Sequence, residues 1–174
     1  MPEYPDHLYP GRHRDMEGRR HQPWVRRTLI TLLFALIVVA LFNVFGQRSE
    51  TSRAAGPGAT LEVHGPTRVR GGLMFQQRIT IGAKRAIAFP RVVLGTGFAD
   101  GLQVNTIEPQ PQSEAGRDGR LVLSYDKLEA GDKLEIWMQF QVNPTHVGST
   151  DMSVELDDQT QPLATVSRTL RAFP

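Results

Sequence analysis

Few residue types in this chain are suited to catalysis. The 174 residues include no cysteine, which excludes thiol nucleophiles and thiolate metal ligands. The sequence also lacks a serine nucleophile elbow, a paired-histidine zinc helix and a glycine loop that holds phosphate. We therefore predict no catalytic residue, no cofactor site and a protein that is not an enzyme.

The histidines do not form a metal-binding pattern. Neither His64 nor His146 has a convergent histidine or carboxylate at ligand spacing, so we interpret both as loop or strand-edge residues. His7, His13 and His21 are separated by six and eight residues, and a weak metal-binding tail is the alternative for these three. We predict no metal site.

An acidic cluster lies near the end of the chain. It consists of Asp151, Glu155, Asp157 and Asp158. Calcium requires about six to eight oxygen ligands from a defined loop, and no repeating aspartate pattern supplies them here. We interpret the cluster as a solvated hairpin.

Trp137 is the first of the possible partner contacts. It lies between Glu135 and Gln139 on the polar face of an alternating segment. An exposed tryptophan is a common anchor of protein interfaces. The alternative is that a loop or the preceding linker covers the ring.

Charge is divided unevenly along the second part of the chain. Residues 60–98 contain six basic side chains and one acidic side chain, whereas residues 99–174 contain six basic and twelve acidic side chains. If the early strands are neighbours, Arg78, Lys84 and Arg85 form a basic surface that steers a partner or anionic headgroups. If the strands interleave, the charges mix. The net charge of +2 predicts no nucleic-acid partner.

An uncharged apolar segment precedes all of these residues except the three early histidines. Residues 28–45 read TLITLLFALIVVALFNVF. A helix of this length is roughly 27 Å long, close to a hydrocarbon core of about 30 Å, and it satisfies its own backbone hydrogen bonds. We predict a transmembrane helix over residues 28–46 that contacts membrane lipid. A buried core helix, the alternative, is disfavoured because no polar stripe is present.

Small residues after this segment raise a second alternative, a cleaved signal peptide. Ser52 and Ala54 have the spacing of a cleavage site, with cleavage after Ala54. However, 27 residues precede the apolar segment, and charged residues lie between it and the site. We therefore expect an uncleaved anchor.

Arginine flanks the predicted helix unequally. Six arginines precede it within residues 1–27, whereas only Arg48 and Arg53 follow at a comparable distance. The positive-inside rule then places the N-terminus in the cytoplasm and the residues after 46 outside the cell membrane, with Trp24 as an interfacial anchor. Residues 1–27 have almost no aliphatic side chains and predict a disordered cytoplasmic tail.

The chain after the span divides into a linker and a domain. Residues 47–59 are small and polar and predict a flexible linker. In residues 60–174 apolar and polar side chains alternate, which is typical of strands with one buried face. The predicted core residues are Phe75, Ile79, Leu123, Ile136, Met138 and Phe140.

Turn signals separate the alternating segments, and no segment has the pattern of an amphipathic helix. The turns are predicted at Gly71-Gly72, Asp100-Gly101, Asp118-Gly119, Ala130-Gly131-Asp132 and Asn143-Pro144. Seven or eight short strands with this spacing predict an all-β fold, an antiparallel immunoglobulin-like β-sandwich. A closed barrel is the alternative.

The order of these signals resembles the immunoglobulin-like repeat modules of bacterial surface proteins, including the bacterial cell-adhesion-related domain. The similar features are Gly101-Leu102 before a strand, a Leu128-to-Asp132 turn, a long alternating strand and a stop from Pro144 to Gly148. The resemblance covers about residues 75–157. Gly82-Ala83 replaces the asparagine that such modules often carry, and one copy is present. The resemblance implies a sandwich and a surface setting, but no ligand.

Two classes of function fit these predictions. The first is a non-enzymatic interaction or accessory subunit, anchored so that its outer domain meets an envelope or membrane protein. The alternative is a ligand-sensing or regulatory single-pass membrane protein, although no cytoplasmic effector domain accompanies the short N-terminal tail.

Overall fold

A computed structural model describes residues 22–42 and 47–173 of the chain. Two compact units are present, Met1–Phe45 and Gly46–Pro174. Of the first unit, the structure describes one helix and the turn residue that follows it. The second unit contains all the strands of the described chain.

The helix α1 spans Gln22–Leu41. Its residues Pro23–Leu41 are long and apolar enough to cross a membrane by length and composition, and their side chains are exposed. Proline suits the first turn of a helix, because its missing N–H would have no helical partner there. The guanidinium of Arg27 lies 5.9 Å from the centre of the Trp24 ring, one turn earlier.

The helix begins earlier than the sequence predicted. Residues 22–27, assigned to a disordered tail, form its first turns, so the predicted boundary at 28 is wrong. The prediction relied on hydropathy alone and therefore began the helix at the start of the apolar segment. A helix can extend into charged residues, because their backbone groups still make the helical hydrogen bonds. The other residues of the predicted tail, with the three early histidines, and residues 43–46 lie outside the described chain.

The second unit is a sandwich of largely antiparallel sheets, which confirms the predicted fold class. Its thirteen strands in the described chain are β1 Ser49–Ala55, β2 Ala59–Pro66, β3 Arg68–Arg70, β4 Met74–Ala83, β5 Pro90–Leu94, β6 Leu102–Glu108, β7 Ser113–Arg117, β8 Arg120–Ser124, β9 Lys133–Val142, β10 Gly148–Asp151, β11 Val154–Asp158, β12 Gln161–Val166 and β13 Thr169–Phe173. More strands are present than predicted because β1, β7 and β10 are small or polar and lack apolar alternation.

Three sheets surround one core. Sheet I has the order β1-β2-β4-β9-β6, sheet II has the order β12-β11-β5-β8-β7, and the small sheet III has the order β10-β13-β3. All pairs are antiparallel except β13 with β3. Because the sheets end in edge strands, the barrel alternative is wrong. The six predicted core residues are all buried, and they belong to one apolar cluster with residues from all three sheets.

The segment predicted as a flexible linker, residues 47–59, is instead part of sheet I. All seven residues of β1 pair with β2, from Ser49 opposite Pro66 to Ala55 opposite Thr60. Gly56 donates its backbone N–H to the carbonyl of Ala59 at 2.9 Å, so the glycines and proline form the hairpin turn. Composition misled the prediction because an edge strand is held by backbone hydrogen bonds, which small polar residues supply as well as apolar ones.

Arg168, which lies between β12 and β13, stabilises the β1–β2 hairpin through its guanidinium. The residue is 6% exposed, and its Nη1 donates to the carbonyls of Glu50 at 3.0 Å and Val63 at 2.9 Å. Its Nη2 donates to the carbonyl of Gly65. Burial lowers the pKa of the guanidinium, and the nearby charge of Glu50 opposes that shift. A buried cation satisfied by backbone carbonyls thus joins the β12–β13 connection to β1 and β2.

The predicted turns are present. Gly72, Gly101, Gly119 and Gly131 all have positive φ, as does Asp118, so left-handed backbone occurs where the sequence placed tight turns. In the turn before β9, the carboxylate of Asp132 accepts the backbone N–H of Glu129 at 2.7 Å.

Candidate interaction face and groove

A row of polar and aromatic side chains crosses the outer side of sheet I. The strand registers align Thr51 of β1, His64 of β2, Arg78 of β4, Trp137 of β9 and Glu108 of β6. Residues opposite each other in adjacent strands have side chains within contact distance. The Oγ1 atom of Thr51 lies 2.8 Å from Nδ1 of His64, which fixes one end of the row.

Trp137 and Arg78 are the centre of this row. The Arg78 guanidinium carbon lies 5.1 Å from the centre of the Trp137 ring, a cation–π arrangement. Trp137 is 38% exposed. Among the described residues no carboxylate reaches Arg78 at ion-pair distance, and its buried Nε has no hydrogen-bond partner. The positive charge over the ring is therefore not neutralised by a direct ion pair.

The charge of Arg78 affects Glu135, although the two side chains do not form an ion pair. Its carboxylate accepts a hydrogen bond from Nζ of Lys133 at 2.6 Å. This hydrogen bond and the charge of Lys133 lower the pKa of Glu135, and the more distant Arg78 lowers it further. Glu135, the acidic neighbour of Trp137 along β9, is thus already paired with Lys133.

A depression adjoins the exposed ring. Its volume is about 310 Å³, and His64, Gln76, Arg78 and Trp137 are among its lining residues. We call the outward residues Met74, Gln76, Arg78, Trp137 and Gln139 of β4 and β9 the Trp137 face. Met74 is 55% exposed, so the face combines two apolar side chains, one cation and two amides. Tryptophan and arginine beside a depression are the residue types that most often dominate binding at protein interfaces.

The structure separates the other two predicted contacts from this face. Lys84 and Arg85 follow β4 and lie against the β1–β2 turn, where both backbone N–H groups donate to the carbonyl of Gly58. Nζ of Lys84 also donates to the carbonyl of Gly56 at 3.0 Å. Six residues of extended strand, roughly 20 Å, separate Lys84 from Arg78. The two residues are thus parts of a different surface.

The basic residues of positions 60–98 do not form one surface. They are distributed among sheet I, sheet III, the end of β4 and, through Arg91, sheet II. Strand interleaving therefore mixes the charges, as the alternative interpretation predicted.

A groove lies on the outer side of sheet II. Its volume is about 510 Å³. Val93 of β5, Val122 of β8 and Ala115 of β7 are opposite one another across the sheet and line it. Val122 is only 6% exposed yet lies outside the main apolar cluster, because it faces the groove. Periodicity did not indicate this face, since Val92, Val93 and Leu94 form an uninterrupted apolar run.

Charged side chains form the walls of the groove. Nη2 of Arg120 donates to a carboxylate oxygen of Glu155 at 3.0 Å, and Asp157 lies opposite Arg91. Oδ1 of Asp157 is buried without a hydrogen-bond partner among the described residues. Burial and then the charge of Glu155 raise the pKa of Asp157, whereas the surrounding arginines lower it by smaller amounts.

The predicted acidic cluster is divided between this groove and local turns. Glu155 and Asp157 line the groove, whereas Asp158 accepts the backbone N–H of Phe89 at 3.0 Å. Asp151 accepts both the N–H and the hydroxyl of Ser153. No group of three or more histidine or acidic side chains suited to a metal occurs in residues 22–42 and 47–173.

The two domain histidines have ordinary hydroxyl partners. Nε2 of His146 lies 2.7 Å from Oγ1 of Thr150, and His64 contacts Thr51 as described above. No sequence pattern identified His64 as a member of the central row. Only its register with Arg78, fixed by pairing of β2 with β4, places it there.

Comparison with known proteins adds little beyond the fold. No protein-family model matches the chain. No curated protein matches it at a significant level. Among solved structures, the solution structure of CaCohA2 from Clostridium acetobutylicum is 10% identical, with a TM-score of 0.45, over 67% of this chain and 92% of that one.

A second solved structure, the C-terminal domain of wzt, is 15% identical, with a TM-score of 0.42, over 74% of this chain and 81% of that one. Both neighbours are β-sandwich domains.

Proposed function

We propose that this protein is a membrane-anchored interaction module whose sandwich domain binds an envelope or membrane protein and catalyses no reaction. The observation that carries this proposal is the Trp137 face. An exposed indole is covered on one side by an unneutralised guanidinium and adjoins a depression of about 310 Å³ that a partner side chain can enter. Burial of such a pair in an interface stabilises a complex through desolvation and cation–π attraction.

The anchor in this proposal is α1. Its apolar side chains are exposed along the whole helix, and lipid is the environment in which such a surface is stable. The same length and composition also fit a signal sequence. The residues after the helix help to distinguish an anchor from a signal sequence that is cleaved.

Strand β1 supports an anchor that is not removed. Cleavage after Ala54 would delete six of the seven residues of β1. Ala54 is opposite Leu61 in the sheet and packs against the apolar cluster, so the cut would leave β2 as an unpaired edge and expose part of the core.

Site-specific crosslinking in intact cells tests the proposed face. A photoactivatable residue at Gln139, exposed and one row from Trp137, is expected to trap one partner of defined mass. The same residue at Ser113 on β7 of sheet II is the control and is expected to trap none. Equal crosslinks at both positions would contradict a specific face.

Substitution of Trp137 is the first prediction. Trp137→Ala is expected to weaken the complex recovered in mild detergent by about 2 kcal/mol, roughly 30-fold in Kd, without lowering the melting temperature. Phe89→Ala is the matched control. Phe89 is an exposed aromatic residue, 57% accessible, and it immediately precedes β5 of sheet II. The reverse pattern, with loss of binding only in Phe89→Ala, would move the partner site to the surface around Phe89.

The groove supports a second candidate function, ligand sensing. Its apolar floor and its alternating guanidinium and carboxylate walls suit a small zwitterionic or polyhydroxylated ligand, and Asp157 has an unused acceptor. Melting of the reconstituted full chain with a panel of amino acids, amino sugars and neutral sugars tests this function. A ligand that raises the melting temperature of the wild type but not of Asp157→Asn would support it, and no shift with any probe would contradict it.

A further inference from the structure

Sheet III presents three arginines on its outer face. Arg68 and Arg70 of β3 and Arg171 of β13 all point away from the core. The residues next to them on the same strands, Val69 and Ala172, are buried. The parallel register sets Arg171 opposite Arg68. Adjacent strands are about 4.8 Å apart, and alternate residues of one strand are about 7 Å apart, so the three guanidiniums are close neighbours.

These three cations have no acidic partner in the described part of the chain. None of them takes part in an ion pair or a side-chain hydrogen bond there. The acidic residue of the three strands is Asp151, and its carboxylate is held by Ser153. The face therefore carries a local positive charge, although the net charge of the whole chain is close to zero.

Two exposed apolar residues border the arginines. Phe173 is 47% exposed and lies opposite Arg70, on the same side of β13 as Arg171. Val147 is 59% exposed and immediately precedes β10. Gly148, the residue after Val147, pairs with Ala172, the residue before Phe173. We call Arg68, Arg70, Arg171, Phe173 and Val147 the sheet III face.

The chain enters the domain next to this face. The backbone N–H of Thr67, which precedes Arg68, donates to the carbonyl of Arg48 at 3.4 Å. Arg48 is seven positions after Leu41, the last residue of α1.

We propose that the sheet III face docks onto the anionic phospholipid surface of the membrane that holds α1. Arginines bind phosphate oxygens, and the neighbouring Phe173 and Val147 insert at the boundary between headgroups and acyl chains. Three neighbouring cations on an exposed sheet face suit the headgroups of a surface better than one phosphate in a pocket. This docking is independent of the partner proposed for the Trp137 face.

The test uses the full chain in lipid nanodiscs. The protein has no cysteine, so Ser149→Cys introduces a single labelling site next to Arg171 on the outer side of sheet III. An environment-sensitive dye at this site is expected to shift to the blue in an equal mixture of phosphatidylcholine and phosphatidylglycerol, but not in phosphatidylcholine alone. The dye at Ser113→Cys on sheet II is expected to show no difference. Recovery of the chain with both kinds of nanodisc checks the anchor separately.

Charge variants decide whether these arginines cause the shift. Each arginine near an anionic surface contributes about fivefold to binding, so changing all three to glutamine is expected to lower the docking constant about 100-fold. The triple lysine variant keeps the charge and is expected to dock. A matched control removes three exposed cations elsewhere, in Arg117→Gln, Lys127→Gln and Lys133→Gln, and is expected to dock normally.

Three outcomes would overturn the proposal. The first is an identical spectrum in the two lipid compositions, and the second is an equal loss in the matched control, which would indicate net charge alone. The third is complete reversal by inorganic phosphate at an ionic strength where chloride has no effect, which would identify a soluble phosphate as the ligand instead of the lipid.

Discussion

Gln77 is a polar residue in an apolar core. It is 1% exposed, faces the same side of β4 as Phe75 and Ile79, and lies opposite Met138. Its amide nitrogen has no hydrogen-bond partner among the described residues. A buried donor without a partner costs about 1–3 kcal/mol, and methionine fills a similar volume without a donor.

We therefore predict that Gln77→Met stabilises the domain by about 1 kcal/mol in chemical denaturation. Gln76→Met, on the exposed side of the same strand, is the control and is expected to leave the free energy of unfolding unchanged. Destabilisation by Gln77→Met would show that the amide has a partner which the substitution removes.

Asp157 leads to a prediction about pH. Its raised pKa means that the native state binds a proton more tightly than the unfolded chain does. The ionised carboxylate therefore lowers stability at neutral pH, and this loss disappears as the pH falls through the raised pKa. We expect Asp157→Asn to raise the melting temperature at pH near 7, with a gain that shrinks in acid.

Thermal melting across a pH series measures this effect. Asp100→Asn, at an exposed position outside the groove, is the control and is expected to change the melting temperature little at any pH. A gain for Asp157→Asn that grows in acid would reverse the sign and contradict the assignment.

At the scale of elements, β1 depends on a residue more than 100 positions away in the sequence. Its alternating pattern is weak, and most of its residues are exposed, so it is held by its pairing with β2 and by Arg168, which bonds Glu50 of β1 as well as Val63 and Gly65 of β2. Removal of the guanidinium leaves buried carbonyl groups without a donor.

We predict that Arg168→Gln destabilises the domain by about 3 kcal/mol, because charge-assisted hydrogen bonds contribute about 1.5–3 kcal/mol each and glutamine retains part of the bonding. Hydrogen exchange should increase first in β1 and at the edge of β2. Arg171→Gln, an exposed arginine three residues later, should not affect either measurement. Unchanged exchange in β1 would show that backbone pairing alone is sufficient.

At the scale of the whole molecule, the predicted location of the domain rests on α1 and the arginines of residues 1–27. We predict that protease added to intact cells removes the sandwich and spares a tag at residue 1. The mass of the membrane-bound chain should include residues 1–54, since cleavage after Ala54 would dismantle β1. Protection of a C-terminal tag would contradict the topology.

The six arginines within residues 1–27 provide a control for this prediction. Their replacement with glutamine removes the positive-inside signal and is expected to give mixed orientations. An unchanged orientation would show that another feature determines the topology.

The core and the exposure of Trp137 could be predicted because their signals are local. Leu134 to Val142 alternate strictly, so burial of Met138 and Phe140 turns Trp137 outward whatever the neighbouring strands are. The groove could not be predicted in the same way. Val93 and Val122 belong to apolar runs in which periodicity does not separate the two faces, and only packing of the other face shows which side is buried.

The apolar span, the positions of the tight turns, the all-β class and the outward direction of Trp137 could be read from local sequence patterns, because each depends on residues within a few positions of one another. Three other features appear only in the folded domain: β1 joins sheet I, His64 and Arg78 align with Trp137, and Arg171 joins Arg68 and Arg70. Strand pairing produces all three, because backbone hydrogen bonds join distant segments in a register that no local side-chain pattern encodes.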